Sequence, residues 1–472
     1  MSHPETRKSG AAALSRRDFF KVTGAVGASL VLAPTVLGEA AKAASKTVNV
    51  AFIGVGTQGR VLLTNALKIP DLRFVAVTDI WPYHLGYAVR LLKKYNHAAN
   101  GYEDYREMLE KEKELDAVMV ASPDWVHAEH AIAGMKAGRH VYCEKEMSNS
   151  LEKAKQMVLT SKETKKLLQI GHQRRSNPRY QAAFDLVAKK KCCGKLTFVS
   201  AQWNRAKRLD VGWPKDQELD PAALKKYGYD TMQRFRNWRW YKQYSGGPIA
   251  DLGSHQIDIF NWFLGASPKA VMASGGLDYY EGIEWYDNIN ALYEWDVSGE
   301  GGKKRPVRGF YQVLSTTSHG GYAETFMGDE GSIIISENAG TGGIRREQEA
   351  PEADWEKELQ KAMAKPAAAP AAPAEPGKEA PKTDEKKDDE GDIKVGHSIP
   401  APGRYYPPIN VPNFTKSEHL PHIENFFAAI REGAALTCPG EVGYDTAVTV
   451  LKVNEAVAAA KRLDYTPEEF KA

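Results

Sequence analysis

The sequence contains little cysteine and no excess of charge of either sign. Four cysteines stand among 472 residues, and none belongs to a Cys-x-x-Cys pair. A disulfide scaffold is therefore excluded, and we expect no metal site. Lys and Arg total 63 against 60 Asp and Glu, so no basic surplus is available to neutralise many phosphates. Binding to nucleic acid is not expected.

The sequence also has no apolar run long enough for a stable membrane anchor. The Gly- and Ala-rich run at 22–38 is too short and weak for a span. It follows the segment SRRDFFK at 15–21 and precedes Ala-Lys-Ala at 41–43, which suits a signal peptidase. The pattern is typical of a twin-arginine signal over residues 1–45. We therefore expect the twin-arginine export machinery to carry the protein to the periplasm or another exported location.

From residue 47 to 170, short apolar strands alternate with helical stretches. The strands are predicted at Val48–Ile53, Phe74–Thr78, Ala117–Val120, His140–Cys143 and Leu167–Ile170. Such alternation indicates an α/β domain with a doubly wound parallel sheet of the Rossmann type.

The second part of the chain, residues 171–465, has strand-like stretches without regular intervening helices. This pattern favours a mostly antiparallel sheet, with one face against helices and the other available to a partner subunit. The stretch 362–392 consists largely of Ala, Pro, Lys, Glu and Asp. It cannot bury enough apolar surface to offset its ordering entropy, so we predict a disordered insertion.

A dinucleotide-binding pattern follows the first strand. Its residues are Gly54, Gly56, Thr57, Gln58 and Gly59. Gly54 permits the turn, Gly56 lets the backbone approach a pyrophosphate, and Gly59 lets the helix pack on the strand. Asp79 stands twenty residues beyond Gly59, at the end of the next strand, where it would bond a ribose 2′-hydroxyl and repel a 2′-phosphate. Since no arginine follows closely, the pattern favours NAD over NADP.

Two further strand ends bring candidate cofactor contacts to the same edge. After the third strand come Ser122, Pro123, Trp125 and His127. His127 either touches the cofactor or simply begins a helix. Glu144 and Lys145 follow the fourth strand. Burial and the charge of an oxidised nicotinamide would both favour a neutral Lys145, which could then move a proton. The alternative is a surface lysine paired with a carboxylate.

A second candidate group is Asp251, His255 and Asp258. Their spacings of four and three residues, after Pro248, predict one helix face. A carboxylate can orient an imidazole and raise its basicity, and such a base removes a hydroxyl proton while hydride leaves the same carbon. The spacing equally fits metal ligands or a polar helix face.

The glycine loop, Glu144-Lys145 and the Asp251…His255 segment together resemble the glucose–fructose oxidoreductase / inositol dehydrogenase / MocA (Gfo/Idh/MocA) family, in its twin-arginine-exported subset. The resemblance covers residues 47–465 apart from the insertion. It implies an N-terminal nucleotide-binding domain and a C-terminal α/β domain with a mostly antiparallel open sheet, through which dimers or tetramers form. It also implies catalytic roles for Lys145, Asp251 and His255. Glu146 replaces the family's usual proline, which leaves the conformation of the Lys145–Glu146 turn open.

Side chains suited to a sugar lie near the start of the second part and beyond. The predicted substrate-binding residues are His172, Arg174, Tyr180, Trp203, Arg239, Trp240, Asp251 and His255. Aromatic rings stack on sugar faces, and the polar groups bond hydroxyls or a carboxylate. We expect an exported NAD-dependent oxidoreductase for a sugar, polyol or glycoside, with a tightly held cofactor. The alternatives are an NAD-dependent glycoside hydrolase or lyase, and a non-catalytic sugar-binding protein.

Overall fold

The computed structural model describes the following parts of the chain: residues 30–31, 47–206, 210–358, 403–411 and 414–472. The predicted export signal (apart from 30–31) and the predicted insertion at 362–392 lie outside these residues. A two-residue strand, β1 (Leu30–Val31), pairs in parallel with a short strand late in the chain. No helix in the described ranges is both long and apolar enough to cross a membrane.

The N-terminal domain is a parallel sheet with helices on both faces. Its six strands among the described residues are β2 (Val48–Ile53), β3 (Leu72–Thr78), β4 (Asn100–Tyr102), β5 (Ala117–Val120), β6 (His140–Cys143) and β7 (Leu168–Ile170). Their spatial order is β4-β3-β2-β5-β6-β7, and every pairing is parallel. The predicted doubly wound α/β domain is confirmed, and its central strands are apolar because both faces are covered.

Local signals in the sequence start the helices of this domain. They are α1 (Thr57–Ala66), α2 (Pro82–Lys94), α3 (Tyr105–Lys111), α4 (Asp124–Lys136) and α5 (Leu151–Thr164). Proline stands at the first position of α2, and the side chains of Asp104 and Ser150 cap α3 and α5. Such residues satisfy or replace N–H groups that a helix start leaves without partners.

The second domain contains one large mixed sheet. In the described chain its strands are β8 (Leu196–Asn204), β9 (Pro268–Gly276), β10 (Asn288–Ser298), β11 (Lys304–Leu314), β12 (Tyr322–Gly328), β13 (Gly331–Ile335), β14 (Gly343–Arg346), β15 (Arg404–Tyr406) and β17 (Leu463–Asp464), with β16 (Ile409–Asn410) pairing β1 instead. The order is β15-β14-β13-β12-β8-β11-β10-β9-β17, and only β8 and β11 run parallel. The prediction of a mostly antiparallel sheet is confirmed.

Helices cover one face of this sheet and leave the other open. The remaining α-helices are α6 (Pro178–Phe184), α7 (Pro221–Lys226), α8 (Met232–Arg236), α9 (Ser254–Leu264), α10 (Leu420–Glu432) and α11 (Gly440–Ala459). Along β10, the buried side chains of Ala291, Tyr293 and Trp295 alternate with outward-facing ones such as Leu292. Helix α10 comes late in the chain but packs on the N-terminal domain, because its residues Ile423 and Phe426 lie in the apolar core of that domain.

Candidate active site

The glycine loop between β2 and α1 has the shape that a bound dinucleotide requires. Gly54 has φ +86°, and a Cβ there would lie 2.7 Å from the backbone nitrogen of Ser122. A Cβ on Gly59 would lie 2.1 Å from the carbonyl oxygen of Gly54. At Gly56, by contrast, the nearest atom would be 3.8 Å away, on His84. No side chain caps α1, so its first N–H groups are left to bind an anion. The loop therefore fits a pyrophosphate.

The carboxylate of Asp79 lies beside this loop at the end of β3. Its Oδ2 accepts a hydrogen bond from the Val55 N–H at 2.8 Å, and Oδ1 accepts one from the Trp81 N–H at 2.9 Å. The His84 Nδ1 is 3.5 Å from Oδ2. The carboxylate thus ties the glycine loop to the end of β3, the position where the sequence predicts a ribose. That ribose contact stays a prediction.

His127 joins the loops that follow β5 and β6. The buried ring places Nδ1 2.7 Å from the carbonyl oxygen of Glu146 and Nε2 2.6 Å from that of Ser122. Burial lowers the pKa of His127 to about 4. The ring lies in the first turn of α4 and contacts protein on both sides, so the structure uses it to position loops. The Lys145–Glu146 peptide beside it is cis.

The structure brings together Lys145 and Asp251, two of the predicted catalytic residues. The Nζ of Lys145 donates a hydrogen bond to the backbone oxygen of Asp251 at 2.7 Å and lies 3.5 Å from its Oδ1. The Nε of Arg239 donates to the same Oδ1 at 3.0 Å, and Nη2 of Arg205 lies 3.7 Å from Oδ2. We call the site formed by Lys145, Asp251, Arg239 and Arg205 the cleft. Lys145 reaches it from the carboxyl end of β6.

His255 lies at the start of α9, and the helical segment does begin next to Pro248, although its first turn is not α-helical. Residues Ile249–Gly253 form a π-helical turn, and the α-helix begins only at Ser254. Burial, with a smaller contribution from the charge of Lys145, lowers the pKa of His255 well below its usual range. The imidazole is therefore neutral near pH 7 and can accept a proton.

The carboxylate of Asp258 does not orient this imidazole. Both of its oxygens accept hydrogen bonds from Nε of Arg175 at 2.9 Å, and Oδ1 also accepts one from Thr446. The enclosed Nδ1 of His255 has no hydrogen-bond partner in the described parts of the chain. Asp258 therefore pairs with Arg175 and not with His255.

Two predicted substrate residues, Arg174 and Tyr180, are occupied elsewhere. The buried guanidinium of Arg174 bonds Glu324 and, at 2.8 Å, Glu337. The Tyr180 hydroxyl donates to Glu324 at 2.8 Å. These contacts form a buried ion-pair network below the ring of Trp203, which lies 5.4 Å from the Arg174 guanidinium. The network holds the Nη atoms of Arg174 and the Tyr180 hydroxyl on carboxylates, and among the described residues only the buried Nε of Arg174 is left without an acceptor in this pair.

The other predicted substrate residues lie around the cleft. The ring of Trp203 is 5.7 Å from that of His255, and the ring of His172 is 6.4 Å from it in an edge-on arrangement. His172 is buried, and neither of its nitrogens has a hydrogen-bond partner within the described ranges. Trp240 lines a small pocket with Arg239 beside the cleft. A polar ligand would complete the hydrogen bonding of His172.

Two residues of the site are absent from the sequence-based prediction. Asp124, at the start of α4, is buried, and burial raises its pKa to about 7 against the opposing charge of Lys145. Its place directly after Pro123 at a strand end is a signal that could identify it. His419, just before α10, lies 3.0 Å from the side chain of Gln58 in the glycine loop. No local signal in the sequence joins that distant pair.

Glu144 completes the edge of the sheet. It is buried, it accepts a hydrogen bond from Tyr142 at 3.2 Å, and burial raises its pKa to about 7. A Cβ on Gly171 would lie 2.8 Å from its Oε1 and 3.0 Å from its Cα, so a larger residue there would displace the Glu144 side chain. The glycine loop, Glu144 and the cleft thus define the class of the molecule: a two-domain dinucleotide-binding protein with titratable groups beside the nucleotide crevice.

Comparisons with known proteins agree with this class. Residues 48–172 match the oxidoreductase family with an NAD-binding Rossmann fold, and residues 180–333 match the GFO/IDH/MocA C-terminal domain. The chain belongs to the Gfo/Idh/MocA family, and its N-terminal domain is the NAD-binding domain of that family.

Curated relatives match over part of their length. The chain is 36% identical over 139 residues to a glycosyl hydrolase family 109 protein of Stenotrophomonas maltophilia, covering 28% of this chain and 30% of that protein. It is 27% identical over 294 residues to the scyllo-inositol 2-dehydrogenase (NAD⁺) of Bacillus subtilis, covering 61% and 73%. Several relatives are matched over only about half of their own length.

Solved structures show the same fold. The aldose-aldose oxidoreductase of Caulobacter crescentus, complexed with glycerol, superimposes with a TM-score of 0.61 at 16% identity, covering 89% of this chain and all of that one (100%). At this identity the likeness establishes the two-domain architecture alone.

Proposed function

We propose that the protein is an NAD-dependent oxidoreductase that acts on a sugar or polyol and keeps its cofactor tightly bound. The observation that carries this proposal is the position of Lys145, Asp251 and His255 at the edge of the sheet that also holds the glycine loop. When bound, NAD supplies a hydride acceptor. Asp251 holds the amine of Lys145 in place, and the neutral imidazole of His255 can take the hydroxyl proton.

Retention of the cofactor is supported by a segment, residues 210–245, that packs over the edge of the parallel sheet. The indole N–H of Trp81, after β3, donates to the Gln217 carbonyl at 2.6 Å. The indole of Trp125, after β5, donates to the Tyr229 hydroxyl at 3.1 Å and packs against Gly228. One segment therefore contacts two strand ends between which a dinucleotide would lie, so release of the nucleotide requires these contacts to open.

We further propose that the protein is exported by the twin-arginine route to the periplasm. The support is the arginine pair in the segment at 15–21. A nicotinamide that leaves the enzyme outside the cytoplasm cannot be reoxidised there from a cellular pool. The proposed retention under the segment 210–245 is consistent with a catalytic cycle that restores the cofactor on the enzyme.

A second candidate function is glycoside cleavage. The similarity to a glycosyl hydrolase family 109 protein favours it. In this scheme the substrate is oxidised transiently and loses its leaving group after proton removal beside the new carbonyl. For net hydrolysis, water then adds to the resulting double bond before the carbonyl is reduced, whereas without water the product of a lyase remains unsaturated. The same Lys145 and His255 would move the protons, so the cleft is compatible with both outcomes.

We also propose a homodimer or homotetramer formed through the open face of the second sheet. Support comes from apolar side chains there: Met272 and Leu292 lie opposite each other on β9 and β10 and are 47% and 46% exposed. Ile334 on β13 is 41% exposed. A face of this kind is typical of a protein–protein contact.

The proposed function is tested by nucleotide content and by product analysis. Purified full-length protein should keep NAD or NADH through dialysis, detected by mass spectrometry after denaturation. Trp125→Ala, which removes the contacts with the segment 210–245, should lose nucleotide faster. Free sugars and polyols should yield oxidised products, whereas cleavage of aryl glycosides would favour the second candidate. Absence of nucleotide, or of turnover on both panels, would refute the enzymatic proposal and favour a binding protein.

A further inference from the structure

Two arginines of the cleft, Arg205 and Arg239, also line a small pocket. Arg205 follows β8, and Arg239 comes from the short helical turn Trp238–Trp240. Ser315, directly after β11, and Trp240 complete the lining. The arginines thus come from separate parts of the fold, and both point their guanidinium groups at the carboxylate of Asp251.

Among the described residues, few acceptors face the N–H groups of these two guanidinium groups. Each carries five N–H donors. Arg239 donates through Nε to Asp251 at 3.0 Å, and its guanidinium stacks 4.2 Å from the ring of Trp238. Arg205 approaches Asp251 only to 3.7 Å, and its Nε is enclosed without an acceptor among the residues described. A planar anion would supply the acceptors that the protein does not.

The charges around the pocket are unequal. Three cationic groups, from Lys145, Arg205 and Arg239, lie within 4 Å of the single carboxylate of Asp251. The nearby acids Asp124 and Glu144 both have pKa values raised to about 7 by burial, so near neutral pH each offsets only part of one charge. The side chains of Arg205 and Arg239 are 42% and 37% exposed, so a solute can reach both guanidinium groups.

We propose that the substrate is a sugar acid, whose carboxylate is bound by Arg205 and Arg239 while the reacting hydroxyl lies against Lys145. This inference rests on the proposed function and names its substrate class. Nζ of Lys145 and Nε of Arg239 both lie within 3.5 Å of the same oxygen of Asp251. A carboxylate at the arginines and a hydroxyl at the lysine would therefore belong to neighbouring parts of one small molecule.

The test uses the full-length protein with its nucleotide. Reduction of the bound nicotinamide is followed by absorbance after mixing with glucuronate, galacturonate or gluconate, and with glucose, galactose or sorbitol as neutral counterparts. The acids should reduce the bound nicotinamide with a second-order rate constant roughly 10- to 100-fold higher than that of the neutral counterparts, the range expected for hydrogen bonds to a charged group. Equal values for acids and neutral sugars would overturn the inference, as would a preference for hexose phosphates run in parallel.

Variants locate the effect. Arg205→Gln and Arg239→Gln should lower the rate constant for the acids at least about tenfold more than that for the neutral sugars, so that the preference for the acids disappears. Arg205→Lys, which keeps the charge, should retain part of the preference. The control is Arg106→Gln, because Arg106 is an exposed arginine on α3 that pairs with Glu129 away from the pocket. If the control removes the preference, or the pocket variants leave it unchanged, the assignment is wrong.

A binding measurement separates the two proposals. Calorimetric titration of the same acids should show binding that weakens in Arg205→Gln. Arginine-dependent binding without nicotinamide reduction would refute the oxidoreductase function and leave the anion site standing. Reduction by neutral sugars alone would do the reverse.

Discussion

Replacing His172 by phenylalanine should make the protein more stable and less active. The ring is 1% exposed, and neither nitrogen has a partner in the described part of the molecule. A neutral imidazole has one donor and one acceptor, and each unsatisfied buried group costs about 1–3 kcal/mol. Phenylalanine removes both unsatisfied groups, but it is slightly larger than histidine, and the tighter packing offsets part of the stabilisation. We expect the free energy of unfolding to rise by about 1–3 kcal/mol.

The matched control is His422→Phe. His422 is equally buried, but its Nδ1 lies 2.7 Å from the Ser176 hydroxyl and its Nε2 lies 2.8 Å from the Ile170 carbonyl. Removing the imidazole takes this partner from the Ser176 hydroxyl and the Ile170 carbonyl. The free energy of unfolding of His422→Phe should therefore fall by about 2–4 kcal/mol. Urea unfolding of the two variants therefore gives opposite signs. A destabilised His172→Phe would show that the ring is already satisfied in the free protein and would refute the reasoning.

Activity and pH dependence complete this prediction. If His172 bonds the substrate, His172→Phe should lower kcat/KM about tenfold, whereas unchanged activity would remove it from the site.

Burial lowers the pKa of His172 from 6.5 to about 4. The unfolded chain then binds a proton between these values that the folded chain does not, so stability is lost as the pH falls through this window. His172→Phe should lose up to about 3 kcal/mol less than the parent protein over that range.

Three other substitutions test separate parts of the account. His255→Ala should abolish turnover while the nucleotide stays bound; turnover at the parent rate would exclude the imidazole as a base. Arg174→Met should cost about 3–5 kcal/mol in urea unfolding, because it leaves buried carboxylates unpaired, whereas the exposed Arg106→Met should cost less than about 1 kcal/mol. Similar losses in both would contradict the buried network. Asp79→Ala should weaken the preference for NAD over NADP in titrations of nucleotide-free protein, and an unaltered preference would refute the predicted ribose contact.

Local patterns in the sequence are sufficient to predict the nucleotide half of the site. Gly54, Gly56 and Gly59 lie within six residues, and their role follows from the strand and helix on either side. Lys145 follows a buried strand, and parallel strands end at a common edge, so its place near the glycine loop follows from topology. These predictions depend on neighbours in sequence or on a general rule of sheet geometry.

Contacts between distant parts of the chain account for what the sequence does not predict. An arginine suited to a sugar is equally suited to an ion pair, and Arg174 has its partners 150 and 163 residues away in Glu324 and Glu337. The spacing of Asp251 and His255 predicts a helix, but it does not show that the turn carrying Asp251 is π-helical while His255 lies in the α-helix that follows. Residue type alone does not distinguish these outcomes, because the neighbouring strands and helices determine which partner each side chain meets.

The most direct test of the central claim is a crystal structure of the protein with its nucleotide bound. The account predicts that the pyrophosphate lies on the glycine loop at the start of α1. It also predicts that the nicotinamide ring lies within about 4 Å of the Lys145 side chain in the cleft, and that His255 faces the same space. A nucleotide bound elsewhere, or a nicotinamide separated from both the amine and the imidazole, would contradict it.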